Sequence, residues 1–190
     1  MGAMEESDAR IAALAARLFY EHGITATGVD ALSKAAGISK RTLYERFGSK
    51  DALIAAAFKS LDDPVFDRFI GAAMRSSNDP RRQLERIFTE LEIAVGSDEF
   101  RGCPFINGIA ELTEPDHPAV EVVRKHKDRV RRWMRDRAKA AGATNPDLLS
   151  RQLMVVFEGG QAQSLVEHST KPARDARGIA KVLIDAAIQS

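Results

Sequence analysis

The sequence predicts an all-α fold in two domains, and three features of its 190 residues support this prediction. Apolar side chains recur every three or four residues along most of the chain, which is the period of an amphipathic helix. Short segments that alternate apolar with polar residues, the pattern of strands, are essentially absent. The sequence Asp62-Asp63-Pro64 interrupts the helical pattern, and we therefore expect one domain at residues 8–58 and a second at 62–190.

The bulk composition narrows the class of protein. The chain holds 28 basic and 27 acidic residues, so a nucleic-acid site has to be a local patch rather than a basic coat. Its single cysteine, Cys103, cannot form an internal disulfide, which is typical of proteins in a reducing compartment. No apolar run approaches the ~18 residues of a membrane span, and no signal-peptide pattern opens the chain. We expect a cytoplasmic protein with no membrane partner.

The first predicted helix covers residues 8–22 and ends at Gly23. Its apolar side chains form one continuous stripe, which consists of Ile11, Leu14, Ala15, Leu18 and Phe19. Two short helices cannot bury a core by themselves, so this stripe provides the surface on which the next two helices pack.

Residues 27–50, TGVDALSKAAGISKRTLYERFGSK, predict a helix, a tight turn and a second helix. Thr27 is the expected cap of the first of these helices, because its hydroxyl can accept a hydrogen bond from the first turn. Gly37 ends that helix, since glycine adopts the left-handed conformation without steric cost. Ser39 is the expected cap of the second helix, which runs from residue 40 to 47 or 48.

The second of these helices separates a packing face from a polar face. Leu43 and Phe47 lie four residues apart on the packing face, and the opposite face offers donors, a hydroxyl and an aromatic ring. Four cations outweigh one anion and make the local charge +3, against +1 for the whole chain; they are Lys40, Arg41, Arg46 and Lys50 against Glu45. A short helix-turn-helix with concentrated positive charge matches what contact with DNA phosphates and the major groove requires.

The amino-acid sequence of this stretch resembles the N-terminal domain of the TetR family of transcriptional repressors. The family pattern begins with a threonine, continues through AAGIS and ends with TLYxxFxSK. This chain carries its elements as Thr27, Ala35-Ala36-Gly37-Ile38-Ser39, Thr42-Leu43-Tyr44, Phe47 and Ser49-Lys50. The resemblance covers about residues 8–58, and the rest resembles the family only in its helical layout. It implies a helix-turn-helix DNA-binding domain joined to a helical ligand-binding and dimerisation domain.

We assign the expected DNA contacts to eight residues, which are Thr27, Ser39, Lys40, Arg41, Thr42, Tyr44, Arg46 and Lys50. Thr27 and Lys50 are expected to contact phosphates, with Tyr44 in support of a backbone contact. Residues 40–42 are the candidate base readers, because a guanidinium pairs with guanine and a threonine methyl contacts thymine. Arg46 can serve either purpose.

The remaining helices are predicted at residues 49–61, 64–76, 80–95, 119–141, 146–168 and 174–188, with a short apolar helix after Cys103. Nine basic residues line the outer face of helix 119–141 and are an alternative nucleic-acid site: Arg124, Lys125, Lys127, Arg129, Arg131, Arg132, Arg135, Arg137 and Lys139. That helix lacks a short turn that would aim it into a groove, so we interpret its basic face as solvated surface.

The last two predicted helices indicate a homodimer. Helix 146–168 is apolar nearly all round, which requires burial on more than one side. Helix 174–188 carries a stripe suited to close helix approach, which consists of Ile179, Val182, Leu183, Ala186 and Ala187. Two copies would form a four-helix bundle about a two-fold axis, and the resemblance to the TetR family implies the same arrangement. Such a dimer reads a palindromic operator in double-stranded DNA.

The resemblance also implies a pocket for a small apolar or amphipathic effector, whose binding moves helix 49–61 and releases the DNA. The candidate lining residues are Phe88, Leu91, Cys103, Phe105, Ile106, Ile109, Trp133, Met134, Met154, Phe157, Glu158 and Gln161. For each of them the alternative is an ordinary place in the core. Glu158 and Gln161 are polar groups on an apolar helix and need a partner, either a ligand or the dimer neighbour.

The sequence carries weaker signals for other functions. The acidic stretch 111–117 holds one histidine, but two prolines interrupt it and no metal-binding spacing occurs. Motifs of catalytic serines and phosphate-binding loops are absent, so we expect no enzyme activity, cofactor or metal. A thiol-redox sensor at Cys103 is an alternative, because Arg101 and a helix start favour a thiolate, although a small buried hydrophobe is the competing interpretation. A helical small-molecule-binding protein without DNA function is the remaining alternative.

Overall fold

The computed structural model describes residues 3–188, and every regular element in that range is helical, which confirms the predicted all-α fold. The helices are α1 (Ala3–His22), α2 (Val29–Ala36), α3 (Lys40–Phe47), α4 (Lys50–Phe66), α5 (Ala72–Ser76), α6 (Pro80–Val95), α7 (Pro104–Glu111), α8 (Pro118–Ala140), α9 (Pro146–Glu167) and α10 (Lys171–Ala187). A π-helical segment, Asp67–Gly71, joins α4 to α5. None of these helices combines the length and the apolarity that crossing a bilayer requires.

Glycines end α1 and α2, and serines cap α3 and α4, where the sequence predicts. Gly23 and Gly37 follow α1 and α2 with φ angles of +87° and +67°, in the left-handed region that favours glycine. Ser39 and Ser49 cap α3 and α4, and each hydroxyl accepts the backbone N–H three residues on at 3.0 Å. α1 begins at Ala3 rather than at residue 8, and two glutamates in its first turn suit the positive end of the helix.

The helix break expected at Asp62-Asp63-Pro64 is wrong. α4 continues through these residues to Phe66, and the chain stays helical through the π segment to Ser76. Proline holds φ at about −65°, which is a helical value, but it has no N–H to donate. α4 therefore loses one hydrogen bond at Pro64 and continues. Within the π segment the Asp67 carboxylate accepts a hydrogen bond from Arg75 at 2.8 Å across Gly71. A Cβ at Gly71 would lie 2.0 Å from that carboxylate, so a side chain there would displace the Asp67–Arg75 pair.

The first of two compact units comprises the residues up to Pro64 together with Pro104–His126. Its core contains Ile11, Ala15, Phe19, Leu32, Leu43, Leu53, Ile54 and Phe58. The segment 104–126 was expected in the C-terminal domain, and it packs here because Phe105 of α7 contacts two rings of this unit. Its ring centroid lies 5.9 Å from that of Phe58 and 3.8 Å from that of His126. The functional division of the chain at residue 62 stays a prediction.

The second unit comprises Val65–Cys103 and the residues from Lys127 onward. One hydrophobic core joins α6, α9, α10 and the C-terminal part of α8, and it includes Leu84, Ile87, Phe88, Leu91, Met134, Leu149, Leu153, Phe157, Ala176, Ala180 and Ile184. The backbones of α9 and α10 approach closely at Gly160. A Cβ at that position would lie 2.8 Å from the Cβ of Ala176, so this approach depends on glycine.

Candidate nucleic-acid interface

α2 and α3 form a helix-turn-helix with a three-residue turn. Gly37 closes α2, and its N–H donates to the carbonyl of Lys34 at 3.2 Å. The Ser39 hydroxyl caps α3 and also lies 2.9 Å from the Thr42 hydroxyl, so both side chains stabilise the first turn of α3. Leu43 is buried and anchors this helix to the unit. The turn and the anchor together orient the opposite face of α3 toward solvent.

That solvent face carries the predicted base readers. The Arg41 side chain is 88% exposed, and its Nε donates to the Glu45 carboxylate one turn later at 2.8 Å. Lys40 pairs with Asp30 of α2, and Tyr44 is exposed. Exposed ion pairs of this kind contribute little free energy, so these cations can exchange their carboxylate partners for phosphates or base edges.

Thr27 does not cap α2, which corrects the prediction. Its side chain is buried, and its hydroxyl donates to the Gly23 carbonyl at 2.6 Å, which closes the turn after α1. The N-cap is Gly28, and no side chain of the described residues accepts a hydrogen bond there. The first N–H groups of α2 are therefore available to an anion, while the Thr27 hydroxyl is not.

Two of the predicted DNA-binding cations have partners inside the unit. Lys50 donates from Nζ to the Ile24 carbonyl at 3.0 Å. Arg46 donates from Nη1 to Asp8 Oδ1 at 2.9 Å and to Ser7 Oγ at 2.8 Å, which ties α3 to α1. The periodicity of α3 places Arg46 on a flank, but the sequence gives no sign of the acceptors on α1. Both side chains therefore help to hold the helices together, and their contact with DNA stays a prediction.

Glu111, at the end of α7, contacts the turn between α1 and α2 and was not among the predicted site residues. Its two carboxylate oxygens accept the N–H groups of Ile24 and Thr25 at 3.0 and 2.9 Å. Burial alone would raise the pKa of Glu111, but these hydrogen bonds and the nearby Lys50 outweigh it and lower the pKa below its usual value. No sequence signal reveals this contact, because Ile24 and Thr25 precede Glu111 by 87 and 86 residues in the chain.

Two buried histidines also face α4 in the first unit, one from α8 and one from the turn before α8. His126 Nδ1 lies 2.7 Å from Asp62 Oδ1, and its ring stacks on Phe105. His117 accepts the Ala119 N–H at Nδ1, and its Nε2 lies 3.4 Å from Asp51 Oδ1. These contacts explain why residues 104–126 pack with the helix-turn-helix.

The residues predicted to line an effector pocket are divided between the two units. Phe105, Ile106 and Ile109 belong to the first unit, and the other nine belong to the second. Six of those nine are in or against its hydrophobic core, namely Phe88, Leu91, Trp133, Met134, Met154 and Phe157. Their packing agrees with the alternative interpretation, in which these residues are ordinary members of the core. Contact with an effector stays a prediction.

Three polar residues of the second unit form a partly buried cluster with Cys103. Lys127 Nζ lies 2.5 Å from Glu158 Oε1 and 3.1 Å from Cys103 Sγ, and Gln161 donates to the other Glu158 oxygen at 3.3 Å. The partner that Glu158 needed is therefore a lysine of α8. Burial alone would lower the pKa of Lys127, but the adjacent Cys103 and Glu158 outweigh it and raise the pKa.

The basic face of α8 carries several internal ion pairs. Arg124 and Lys125 pair with Glu121, Arg131 pairs with Asp128 and Asp147, and Arg135 pairs with Asp136. These pairs favour the interpretation of this face as solvated surface, because carboxylates on the helix and its neighbours offset part of its charge.

Comparison with known proteins places the helix-turn-helix in a described family. Residues 11–57 match the family of bacterial regulatory proteins called the tetR family. Over 82 residues, 43% of this chain, the sequence is 34% identical to the HTH-type transcriptional repressor KstR2 of Rhodococcus jostii, and the alignment spans only 40% of that repressor's length.

Two solved structures resemble the whole chain. A TetR-transcriptional regulator from Streptomyces avermitilis is 32% identical with a TM-score of 0.85, and the alignment covers 100% of both chains. A TetR-family transcriptional regulator from Streptomyces coelicolor is 25% identical with a TM-score of 0.87, and the alignment covers 97% of both chains.

Proposed function

The chain belongs to the TetR family of bacterial regulatory proteins, and on that premise we propose that it is a transcriptional repressor that binds a DNA operator as a homodimer. The observation that carries this proposal is the exposed cationic face of α3, presented by a capped helix-turn-helix. Arg41, with an 88% exposed side chain, is the principal base reader, because its guanidinium can make two parallel hydrogen bonds to a guanine.

The phosphate contacts divide between a helix end and side chains. The uncapped N-terminus of α2 at Gly28 offers backbone N–H groups and the positive end of the helix dipole. Lys40 and Tyr44 are exposed beside the base-reading surface and supply an ammonium and a phenol. Thr42 stays a candidate for contact with a thymine methyl, while its hydroxyl is engaged with Ser39.

Dimerisation through α9 and α10 is part of this proposal. One recognition helix reads only a few base pairs, whereas two helices on a symmetric dimer read a palindrome with a fixed spacing between half-sites. Exposed apolar side chains on both helices support a partner there, among them Val155 and Val182. Dimerisation also doubles the number of phosphate contacts and so steepens the salt dependence of binding.

The decisive test is selection of bound duplexes from a random pool, followed by gel shifts on the selected sequence. We expect a palindrome, and we expect Arg41→Ala to weaken binding about 10- to 100-fold. Arg86→Ala is the matched control, because Arg86 makes the same pair with a glutamate one turn later, on α6 of the second unit. A pool without any enriched palindrome, or equal binding by both variants, would contradict the proposal.

The released state, in which the protein has left the operator, is expected to hold a small apolar or amphipathic effector in the second unit. An effector shifts the protein away from DNA only if it binds the released state more tightly than the DNA-bound state. Trp133 is the only tryptophan of the chain and is half-buried on α8, so its fluorescence reports binding directly. Candidate effectors are expected to change this fluorescence and to release operator DNA at the same concentrations.

A second candidate function is peroxide sensing by Cys103. The Lys127 ammonium, 3.1 Å from Sγ, favours the thiolate, which attacks hydrogen peroxide to form a sulfenic acid and release hydroxide. We expect peroxide to weaken operator binding by the natural chain and to leave Cys103→Ser unaffected. Equal responses of the two proteins would exclude this function and leave effector control intact.

A further inference from the structure

Glu45 places a carboxylate on the exposed face of α3, beside the cations that are proposed to meet DNA. Its side chain is 58% exposed and lies one helical turn after Arg41, whose side chain is 88% exposed. A carboxylate on a surface that meets phosphates lowers the affinity for any DNA, because like charges repel. General attraction to DNA therefore does not account for Glu45.

The contact between Arg41 and Glu45 occupies one particular part of the guanidinium. Arg41 Nε donates to Glu45 Oε1 at 2.8 Å, and among residues 3–188 neither side chain has a hydrogen bond to any other group. A guanidinium carries one N–H group on Nε and two on each terminal nitrogen. With Nε held by the carboxylate, the end of the guanidinium formed by Nη1 and Nη2 remains available.

The available end of Arg41 matches a guanine. It carries two parallel N–H groups, which is the arrangement that O6 and N7 of guanine accept in the major groove. An exposed arginine that no neighbour holds rotates among many conformers and turns any of its donors to a base or a phosphate. A contact at Nε limits these conformers, so less entropy is lost when the guanidinium binds the base.

Resting on the DNA reading proposed above, we infer that Glu45 determines the sequence specificity of α3 as a positioning residue. Its carboxylate holds Nε of Arg41, presents Nη1 and Nη2 to a guanine of each half-site, and repels the phosphates that compete for the same guanidinium. Affinity for random DNA falls, while affinity for the correct guanine is retained. Specificity is the difference between these two binding free energies, so both effects raise it.

The second ion pair of the helix-turn-helix lacks this geometry. Lys40 pairs with Asp30 of α2, and both side chains are exposed. A lysine ammonium is a compact charge whose three donors rotate together, so a carboxylate cannot select which of them faces a base. We therefore assign the positioning role to Glu45 and not to Asp30.

Binding of two duplexes tests the inference. The first is the selected operator, and in the second the guanine whose preference depends on Arg41 is replaced by adenine in each half-site. We expect Glu45→Ala to lower the ratio of the two affinities about tenfold. Binding to a random duplex should strengthen about threefold, because a negative charge is lost. Glu45→Gln keeps an acceptor for Nε but not the charge, so it should strengthen random binding equally and keep most of the guanine preference.

Glu21→Ala is the matched control. Glu21 accepts a hydrogen bond from Arg17 Nε at 2.7 Å, also one turn apart, on α1 of the same unit. This variant removes the same charge and the same kind of pair, and we expect no change in the ratio of the two affinities. In an Arg41→Ala background, Glu45→Ala should also leave the ratio unchanged, because no guanidinium remains to be held.

Three results would overturn the inference and leave the proposed function intact, because the natural chain would still bind its operator. They are an undiminished guanine preference in Glu45→Ala, a further loss of preference when Glu45→Ala is added to Arg41→Ala, and a selected half-site in which no guanine depends on Arg41. A natural chain that selects no palindrome would refute the proposed function, and the inference with it.

Discussion

Two arginines of one eight-residue helix have different surroundings. Arg41 extends into solvent and pairs with Glu45 of the same helix, whereas Arg46 is partly buried and bonds α1 through Asp8 and Ser7. A count of charges treats them alike, yet the exposed fractions of their side chains are 88% and 26%. The distinction depends on which groups each guanidinium contacts, so it is a property of single residues and not of the net charge of the helix.

The Arg46–Asp8 pair is expected to stabilise the first unit. Arg46→Ala should lower the free energy of unfolding by about 1 to 2 kcal/mol, because it removes charge-assisted hydrogen bonds at a partly buried site. Urea unfolding of Arg46→Ala, Asp8→Ala and the double variant measures the coupling. Strictly additive losses would show that the pair does not act as a unit. Arg41→Ala, the control on the same helix, should change this free energy by less than about 0.5 kcal/mol.

Glu111 is expected to give the turn after α1 a pH dependence. Its pKa is lowered from an ordinary 4.5, so its stabilisation is fully present above that value and is lost as the pH falls through the lowered pKa. The protection factors of the Ile24 and Thr25 amides, which correct for the slower intrinsic exchange in acid, should therefore fall at low pH. Glu111→Gln should lower these protection factors at neutral pH as well, while Glu114→Gln, on the exposed turn beyond, should not. Equal protection in both variants would refute this role.

At the scale of elements, the helix-turn-helix follows from signals inside its own sequence, and α4 does not. Ser39, Gly37 and the spacing of Leu43 act over four residues or fewer and settle where α2 and α3 begin and end. The continuation of α4 past Pro64 overrides a local signal, because proline removes one hydrogen bond without changing a helical φ.

The packing of α7 depends on a glycine. A Cβ at Gly108 would lie 2.1 Å from Cζ of Phe58 and 3.3 Å from Cδ1 of Ile24. Gly108→Ala is therefore expected to lower the melting temperature and destabilise the first unit by about 1 to 3 kcal/mol, the usual cost of overpacking. Ala110→Ser, exposed on the same helix, is the control. A variant at 108 that melts like the natural chain would show that Phe58 moves aside without cost.

At the scale of the whole molecule, the chain does not divide where its sequence resemblance ends. The family match covers residues 11–57, but the unit that contains it also includes α7 and the first part of α8. Phe105 supplies part of that unit's aromatic packing, and Glu111 supplies the acceptors for the turn after α1. The unit that holds the helix-turn-helix therefore includes residues from the second half of the chain.

A fragment that ends at residue 64 should consequently fold poorly. It lacks Phe105, His126 and Glu111, and it exposes the side of Phe58 that α7 covers. We expect a broad thermal transition in circular dichroism, in contrast to the cooperative transition of the complete chain. A fragment that unfolds as sharply as the complete chain would show that α1 to α4 are sufficient.

The sequence by itself determined the all-α class, the helix-turn-helix and the Ser39 cap of α3, because periodicity, capping and glycine conformation act between near neighbours. Only the tertiary structure decided that Thr27, Arg46 and Lys50 turn inward, that Lys127 is the partner of Glu158, and that Glu111 binds the turn after α1. Apart from Thr27, whose acceptor lies four residues away, these residues have partners far apart in the chain, and packing alone brings them together.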